Sequence, residues 1–319
     1  MKKYLIFFFF LQMVFSKNLP ALYFTPNSKT DKILLSLIEN AKSSVYIAGY
    51  SISSGKMIEL IKKNKERIVI KVLTERDYKN LPKNIVKVYQ KSGLFHPKFI
   101  TVDGISVLIG SGNFTDDGLH LHHNHFLLIQ DPKIAEFFNK KFLAWWQDTP
   151  FEEVYEDSIY RIYFSPDTDC ESIIVNELSK ARDTIHFAHY RFTSEKIARA
   201  IILKKFTGVK VYGIMDASGI EPYSFFYPLS YYGCKLKKSN LAGLLHDKLF
   251  IIDGETVITG SYNPTTSAKK NTECLIIIKD KKTAEKLLTE WKKLWLFYSL
   301  PASPFKLSIP LIERLRMKK

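Results

Sequence analysis

Apolar and polar positions follow two different periods along the chain. Apolar residues recur at helical spacing in residues 32–41 and 170–181, which predicts an amphipathic helix in each segment. Short apolar runs follow at 44–50 and 184–192, and their length and composition predict buried strands. Further elements are predicted in the same manner, with helices at 56–63 and 194–206 and strands at 68–73, 126–129, 209–215 and 275–278. This alternation predicts an α/β fold, with helices on both faces of mixed, largely parallel sheets.

The same series of elements occurs twice. The pairs of matching segments are 23–27 with 163–167, 45–50 with 185–190, and 131–146 with 280–295. Four tryptophans, at 145, 146, 291 and 295, have helical spacing in the last pair and are expected to pack in the core. We therefore expect two equivalent halves, residues 20–150 and 158–298, followed by a basic tail over residues 299–319.

Each half also carries one copy of a polar motif. In both copies a Lys follows a His by two positions, an Asp by seven, a Ser by fifteen and an Asn by seventeen. His and Lys should lie on one face of a strand, and the Asp-Gly dipeptide after it predicts a tight turn. The returning strand brings Ser and Asn beside them. An imidazole, an ammonium, a hydroxyl and a carboxamide at one place suit a tetrahedral anion.

This pattern, H-x-K-x4-D followed by G-S-x-N, resembles the phospholipase D superfamily, and the resemblance covers residues 23–295. It implies two α/β/α sandwich halves packed about a pseudo-twofold axis, with one site between them. Six side chains are then expected around a single phosphate: His96, Lys98, Asn113, His246, Lys248 and Asn263.

The resemblance implies a phosphodiester hydrolase. One His forms a covalent phosphohistidine, while the other protonates the leaving oxygen and then activates water. Two lysines and two carboxamides neutralise the phosphoryl oxygens, so neither a metal nor another cofactor is expected. Both half-sites are on one chain, so a monomer suffices.

The superfamily places an acidic residue after the second part of the motif, where it holds the His of its own half. In the second half this residue is Glu273, whereas the first half has Asn124. A carboxylate raises the pKa of its partner, so Glu273 is expected to make His246 the general acid and base. Asn124 would leave His96 unprotonated, as a nucleophile must be. Alternatively, losing the orienting charge weakens the first half-site.

Other polar residues near the motifs are given supporting roles. We expect Asp103 and Asp253 to cap the turns, and Ser111 and Ser261 to orient their neighbours. His189 is expected to be a satisfied strand residue. A group of four histidines is interpreted as a polar loop at the rim of the cleft, with a metal site as the alternative: His120, His122, His123 and His125.

Composition limits the class of protein. The chain of 319 residues is 46% hydrophobic, which is enough for a packed core and excludes a disordered protein. Its net charge of +15 favours a polyanionic partner or an anionic membrane surface. The three cysteines lack CxxC spacing, which disfavours a thiolate zinc site. Whether Cys170 and Cys234 pair remains open.

The first 16 residues have the pattern of an export signal. Two lysines precede an apolar run that is short for a membrane span, and a small residue, Ser16, ends it. We expect cleavage after Ser16 and export to the bacterial periplasm or the exterior. An uncleaved anchor in the inner membrane is the alternative.

The motif leaves the substrate open. The second half looks like the small bacterial nucleases and the cardiolipin-hydrolase group of the superfamily, which favours DNA or RNA cleavage slightly over phospholipid hydrolysis. The aromatic stretch 222–232 could be a lipid-binding lip, a base-stacking surface or a packed crossover. A third hypothesis is a DNA- or membrane-binding protein without catalytic activity, its first half-site impaired by Asn124.

Overall fold

The computed structural model describes residues 19–301, which form two β-sheets with helices packed around them. The first sheet contains β1 (Ala21–Thr25), β2 (Ser44–Gly49), β3 (Val69–Thr74), β4 (Val86–Val88), β5 (Lys98–Val102), β6 (Ser106–Gly110) and β7 (Asn124–Ile129). The second contains β8 (Tyr155–Glu156), β9 (Tyr160–Ser165), β10 (Thr184–His189), β11 (Lys210–Met215), β12 (Lys235–Ser239), β13 (Lys248–Ile252), β14 (Thr256–Gly260), β15 (Glu273–Lys279) and β16 (Ser299–Pro301).

The helices repeat in the same way. They are α1 (Ser28–Glu39), α2 (Gly55–Asn64), α3 (Asp116–His120), α4 (Pro132–Gln147), α5 (Cys170–Ser179), α6 (Glu195–Phe206), α7 (Phe226–Tyr231) and α8 (Lys281–Phe297). Short 3₁₀ turns lie at Lys83–Ile85, Ala217–Gly219 and Thr266–Lys270. Asp131 and Asp280 cap α4 and α8 by accepting from backbone N–H groups of the first turn. The last helix of each half therefore begins with the same signal.

Both sheets are mixed, but the expectation of largely parallel strands is wrong. The strand orders are β1-β7-β6-β5-β2-β3-β4 and β16-β12-β11-β10-β13-β14-β15-β9-β8. Two strand pairs in each sheet are parallel, within β2-β3-β4 in the first sheet and within β10-β11-β12 in the second, and the other pairs are antiparallel. The motif hairpins and the strands beside them account for this excess, because a tight turn joins antiparallel neighbours.

The two sheets enclose a shared core. Alternate residues of each strand face inward, where α4 and α8 supply Phe138, Trp145 and Trp291 to one cluster that draws on both halves. The outer face of the first sheet is covered by α1 and α2, and that of the second by α5, α6 and α7. The tryptophans pack as predicted, with Trp145 and Trp291 buried and Trp146 and Trp295 partly buried against the same cluster.

The two motif hairpins turn at Asp-Gly dipeptides. Asp103 and Gly104 have φ of 55° and 66°, and Asp253 and Gly254 have φ of 53° and 66°. Two successive positive φ values define the type I′ turn that these residues favour. Each Asp carboxylate accepts backbone N–H groups from the loop before the neighbouring strand, at residues 42–44 for Asp103 and 182–184 for Asp253. Both residues are structural, and they anchor the hairpin to the next strand rather than capping the turn itself.

The second sheet has an additional edge strand after α8, and the three cysteines are unpaired. Ser299–Pro301, placed by sequence in the tail, pairs with β12 as an additional edge strand. Cys170, Cys234 and Cys274 are all buried free thiols. Within residues 19–301, none of the helices combines the length and apolarity that a membrane crossing requires. The predicted signal segment, residues 1–16, lies outside the described residues.

Candidate active site

Two backbone bridges between the halves set the geometry of the site. The N–H of His96 donates to the carbonyl of Thr272 at 2.9 Å, and the N–H of Thr272 donates to that of Leu94 at 2.8 Å. The related bridge in the other half-site joins His246 to the carbonyl of His123 at 2.8 Å. Each bridge joins the segment just before the motif Lys of one half to the segment just before the strand that follows the motif hairpin of the other half, β15 or β7.

The His96 ring binds a carboxylate from the second half. Its Nδ1 lies 2.8 Å from Oε2 of Glu273, which is fully buried. Ser261 donates to the same oxygen at 2.5 Å, and Asn271 donates to Oε1 at 3.1 Å. With Nδ1–H donated to the carboxylate, Nε2 of His96 carries the free lone pair.

The His246 ring binds an amide from the first half. Its Nδ1 lies 3.0 Å from Oδ1 of Asn124. The amide orientation follows from its other end, because Nδ2 donates to the carbonyl of Gly118 at 3.0 Å and lies 3.2 Å from Oγ1 of Thr25. Oδ1 therefore accepts from Nδ1–H of His246, and Nε2 of this ring also has a free lone pair.

The prediction that Glu273 and Asn124 hold the His of their own half is wrong. Glu273 binds His96, and Asn124 binds His246. The backbone bridges explain the exchange, since they align each residue with the motif of the opposite half. The pKa argument that assigned His246 as acid because Glu273 lay beside it therefore no longer holds.

The motif serines and lysines occupy matching places in the two half-sites. Ser111 contacts Asn124, as Ser261 contacts Glu273, so both serines orient their neighbours as expected. Lys98 and Lys248 are buried, and each Nζ donates to the carbonyl of its own motif His, at 2.5 and 2.6 Å.

The two motif asparagines have free amide ends. Oδ1 of Asn113 and Oδ1 of Asn263 are buried and have no hydrogen-bond partner among the described residues. An amide end left unpaired at the same place in both copies is available to a ligand, and either orientation of the amide could be used.

Burial and mutual repulsion between cations shift the pKa values of the site. Burial lowers the pKa of His96 to about 4, with Lys98 acting in the same direction and Glu273 opposing them. The pKa of His246 falls well below its usual value through burial and the charges of Lys248 and Lys98. Burial also lowers the pKa of Lys98 strongly and that of Lys248 to about 7. An anion would relieve this repulsion and raise all four values.

One cavity of about 550 Å³ brings the two half-sites together. Its lining includes both motif histidines and both motif asparagines, His96, His246, Asn113 and Asn263. The lysines lie behind these residues rather than on the cavity surface. A single ligand can therefore contact side chains from both halves.

Tyrosines and acidic residues that the sequence analysis missed complete the site. Tyr50 and Tyr190 line the cavity, and their ring centroids lie 5.3 and 5.4 Å from those of His96 and His246. The repeat itself was the available signal, because the two tyrosines directly follow the matching strands β2 and β10.

The missed acidic residues support the backbone just before each motif. Glu75 accepts from the N–H of Phe95 at 2.5 Å, and Asp216 accepts from that of Leu245 at 2.7 Å. Each carboxylate directly follows β3 or β11. Charge at the carboxyl end of a buried strand could have identified them.

The histidine cluster is divided between several environments. His122 lines the cavity, as the rim hypothesis expected, whereas His120 is exposed at 3.9 Å from Asp31. His123 and His125 are buried between the halves, which corrects that hypothesis for these two residues. Among residues 19–301, no group of three or more His, Cys, Asp or Glu side chains is arranged to hold a metal ion.

His189 and the aromatic stretch also differ from expectation. His189 is buried against Phe250, and neither ring nitrogen has a hydrogen-bond partner among the described residues, so it is not a satisfied strand residue. The stretch 222–232 is mainly a packed crossover, with Phe225 and Phe226 in the core. Tyr223, the second residue of the stretch, lines the cavity.

Comparison with known proteins follows the same division into halves. The family model described as "Cardiolipin synthase, PLD-like domain" matches residues 34–146 and again residues 174–295. A phospholipase D of Rickettsia prowazekii is 36% identical over 130 residues, which are 40% of this chain and 63% of that protein. A mitochondrial cardiolipin hydrolase of Xenopus tropicalis is 32% identical over 132 residues, 40% of this chain and 60% of that protein.

These relatives are matched over only part of their length, since the chain spans just under two thirds of each. The crystal structure of a phosphatidylserine synthase of Haemophilus influenzae has a TM-score of 0.68 and 13% identity, covering 89% of this chain and 90% of the other. That likeness supports the two-half fold alone. With the family model matched twice across the two sheets, the chain belongs to the phospholipase D-like family.

Proposed function

We propose that this protein is a metal-independent phosphodiesterase that hydrolyses its substrate through a covalent phosphohistidine. The observation that carries the proposal is the pair of imidazoles at one cavity, each with Nδ1 held by the opposite half and Nε2 free. A double displacement at phosphorus needs such a nucleophile and such a proton carrier.

In the first step, Nε2 of one ring attacks phosphorus. The N–P bond forms as the P–O bond to the leaving group breaks. The second ring binds a proton at Nε2 when the anionic substrate raises its pKa, and it gives that proton to the leaving oxygen. In the next step the second ring takes a proton from water, the water oxygen bonds to phosphorus, and the N–P bond breaks. In this proposal Asn113 and Asn263, which line the cavity, donate to the phosphoryl oxygens, and the charges of Lys98 and Lys248 behind them stabilise the same oxygens.

We assign the attack to His96. A phosphorylated imidazole carries positive charge for the lifetime of the intermediate, and the buried carboxylate of Glu273 lies 2.8 Å from its Nδ1. In a site of low dielectric that charge stabilises the intermediate more than the neutral amide of Asn124 can. His246 then carries the proton. These are the roles that the sequence predicted for the two histidines, but the reason is now the charge beside the intermediate and not the pKa of His246.

Nucleic acid is the substrate that we favour. The cavity wall combines the rings of Tyr50, Tyr190 and Tyr223 with the guanidinium of Arg191. Aromatic and cationic groups beside a phosphate site suit the bases and backbone of single-stranded DNA or RNA. The net charge of +15 adds attraction to a polyanion.

Phospholipid is the second candidate, favoured by the names of the relatives, a phospholipase D and a mitochondrial cardiolipin hydrolase. Anionic lipid would also be attracted by the basic charge. In this reading the protein removes a headgroup or splits cardiolipin by the same chemistry.

A side-by-side assay in EDTA tests both candidates. Single-stranded DNA, RNA, phosphatidylcholine, cardiolipin and bis(p-nitrophenyl) phosphate are each offered to the wild type and to His246→Ala. We expect turnover of the generic diester and of nucleic acid, lost in the variant. Turnover of lipid alone would replace nucleic acid with phospholipid. If no substrate is cleaved, a non-catalytic binder replaces the proposal. If the variant is as active as the wild type, the protein is an enzyme but the proposed histidine chemistry is wrong.

A further inference from the structure

A buried network of charged and polar groups joins the two halves behind His246. Asp247 is 1% exposed, and its Oδ1 and Oδ2 accept from Nδ1 of His125 at 2.7 Å and from Nδ1 of His123 at 2.8 Å. The far nitrogen of His123 lies 3.4 Å from Oε1 of Glu290 on α8, and that of His125 contacts the hydroxyl of Thr259 on β14. A single carboxylate thus holds two rings from the other half.

This network encloses the pair formed by His246 and Asn124. Asp247 is the next residue after His246, and the two histidines bound to it are the residues on either side of Asn124. The hydroxyl of Ser111 lies 3.2 Å from Oδ1 of Asn124 and 3.3 Å from Oδ1 of Asp247. The pair is therefore coupled to the network, because Asn124 lies in the chain between two residues that Asp247 binds, and His246 is covalently bonded to Asp247 itself.

The other half-site has a different composition. The repeat places Pro97, Thr272 and Cys274 where this one has Asp247, His123 and His125. Those residues cannot form an ionic network. There the buried carboxylate, Glu273, binds the catalytic ring directly. The carboxylate nearest each ring therefore differs in position, since it binds the ring directly in one copy and lies one residue away from it in the other.

We propose that Asp247 is a positioning residue, which together with His123 and His125 keeps Asn124 and His246 aligned for proton transfer. The inference rests on the proposed function, and it assigns a role to three residues at positions that the motif does not specify. Without the carboxylate, two buried N–H groups lose their acceptor, and the amide of Asn124 loses its fixed place. A small displacement of a proton carrier lowers the catalytic rate far more than it weakens substrate binding.

The test compares Asp247→Asn with the wild type. We expect kcat on bis(p-nitrophenyl) phosphate to fall about tenfold or more while KM stays within about twofold. Glu177→Gln is the matched control, because Glu177 is a buried carboxylate paired with Arg161 and Lys180 outside the cavity. It should lose comparable stability and keep kcat. Circular dichroism and thermal unfolding verify that each variant folds.

A second readout does not depend on activity. In ¹⁵N-labelled protein, two-bond couplings identify which ring nitrogen of His246 carries the proton. The wild type should show a single Nδ1–H form, and Asp247→Asn a mixture of forms. An unchanged kcat together with an unchanged His246 spectrum would overturn the inference. If the wild type cleaves nothing, the proposed function fails while the spectrum still decides whether Asp247 aligns the ring.

If Asp247→Asn does not fold, Glu290→Gln decides. The Gln keeps an acceptor for His123 but removes the outer charge of the network, which is partly exposed and so tolerates replacement. We expect a reduced kcat with KM retained and a changed His246 spectrum. Wild-type kcat together with a wild-type spectrum in this variant would contradict the inference.

Discussion

Nδ1 of His246 lies 3.0 Å from Oδ1 of Asn124, although 122 residues separate them and they belong to different halves. The matching pair in the other half-site, His96 and Glu273, differs from it by one formal charge. Two otherwise similar imidazoles are thereby made chemically unequal. The predictions below follow from that inequality and from the buried groups that support it.

Replacing Glu273 with Gln should remove the negative charge beside Nδ1 of His96 while keeping a hydrogen-bond acceptor there. The cationic phosphohistidine would lose its counter-charge, and we expect kcat to fall by about 10²-fold or more. Stopped-flow or steady-state assays with bis(p-nitrophenyl) phosphate measure the loss. Glu177→Gln again serves as the control for the loss of a buried carboxylate elsewhere. A kcat within twofold of the wild type would show that the charge does not support catalysis.

Moving the carboxylate should move the nucleophile. In the wild type we expect the phosphoryl group on His96, because Glu273 stabilises the charged ring. In the double variant Asn124→Asp with Glu273→Gln, the charge lies beside His246, and the adduct should appear there. Rapid quenching at alkaline pH, which preserves the N–P bond, followed by peptide mass spectrometry locates it. A wild-type adduct on His246 would refute the assignment, and an unmoved adduct in the double variant would refute its cause.

The sequence was sufficient to predict the repeat, the motif hairpins and the motif histidines and asparagines that line the cavity. Strand alternation, Asp-Gly turns and the identical spacing of His, Lys, Ser and Asn are local signals, and local packing preserves them. It was not sufficient to predict which half supplies each partner. Glu273 could reach His96 or His246 by spacing alone, and the bridge between Phe95 and Thr272 exists only once the halves pack.

The same limit applies to the histidines after the first motif. His122, His123 and His125 are near neighbours in sequence, yet one faces the cavity while two are buried against Asp247. Alternation along a strand predicts that neighbours separate, but it does not say which face meets the other half. The alternation of helices and strands predicts parallel pairs but does not indicate how the motif hairpins join the sheets, and those hairpins and their neighbours supply the antiparallel excess.

Replacing Asn124 with Asp should change the pH dependence. In the free enzyme the pKa of His246 lies well below its usual value. The acid therefore loses its proton, and kcat/KM falls, at a correspondingly low pH. An Asp carboxylate would raise that pKa, so the alkaline fall should move up by about one to two pH units. A profile that coincides with the wild type would show that His246 is not the acid. Asn176→Asp makes the same charge change on the exposed surface of α5 and should not shift the profile.

The same substitution should cost stability. Nδ2 of Asn124 donates to the carbonyl of Gly118, and a carboxylate cannot replace that donor. We expect a loss of about 1–3 kcal/mol in the free energy of unfolding, the typical cost of an unsatisfied buried group. Chemical denaturation measures it, with Asn176→Asp as the reference. A variant as stable as the wild type would mean that the amide orientation inferred from Gly118 is wrong.

The network around Asp247 should make part of the stability depend on alkaline pH. Burial alone would lower the pKa of His123, but the carboxylates of Asp247 and Glu290 raise it to about 9. Because this pKa exceeds the unfolded value of about 6.5, the ionic contribution is fully present below pH 6.5 and is lost as pH rises through 9. It amounts to on the order of 3 kcal/mol.

Lys98 and Lys248 titrate in the opposite sense, since their lowered pKa values make folding more favourable as the unfolded lysines lose their protons. The contribution of His123 therefore has to be measured as a difference, with the free energies of unfolding of the wild type and of His123→Gln compared from pH 6 to pH 10. Because the lysine contributions cancel between the two proteins, we expect the wild type's advantage to be largest near pH 6, to shrink as pH rises from 6.5 to 9, and to level off above pH 9. An advantage that is constant over this range would mean that His123 is uncharged in the folded protein, and that neutral hydrogen bonds alone join Asp247 to the opposite half.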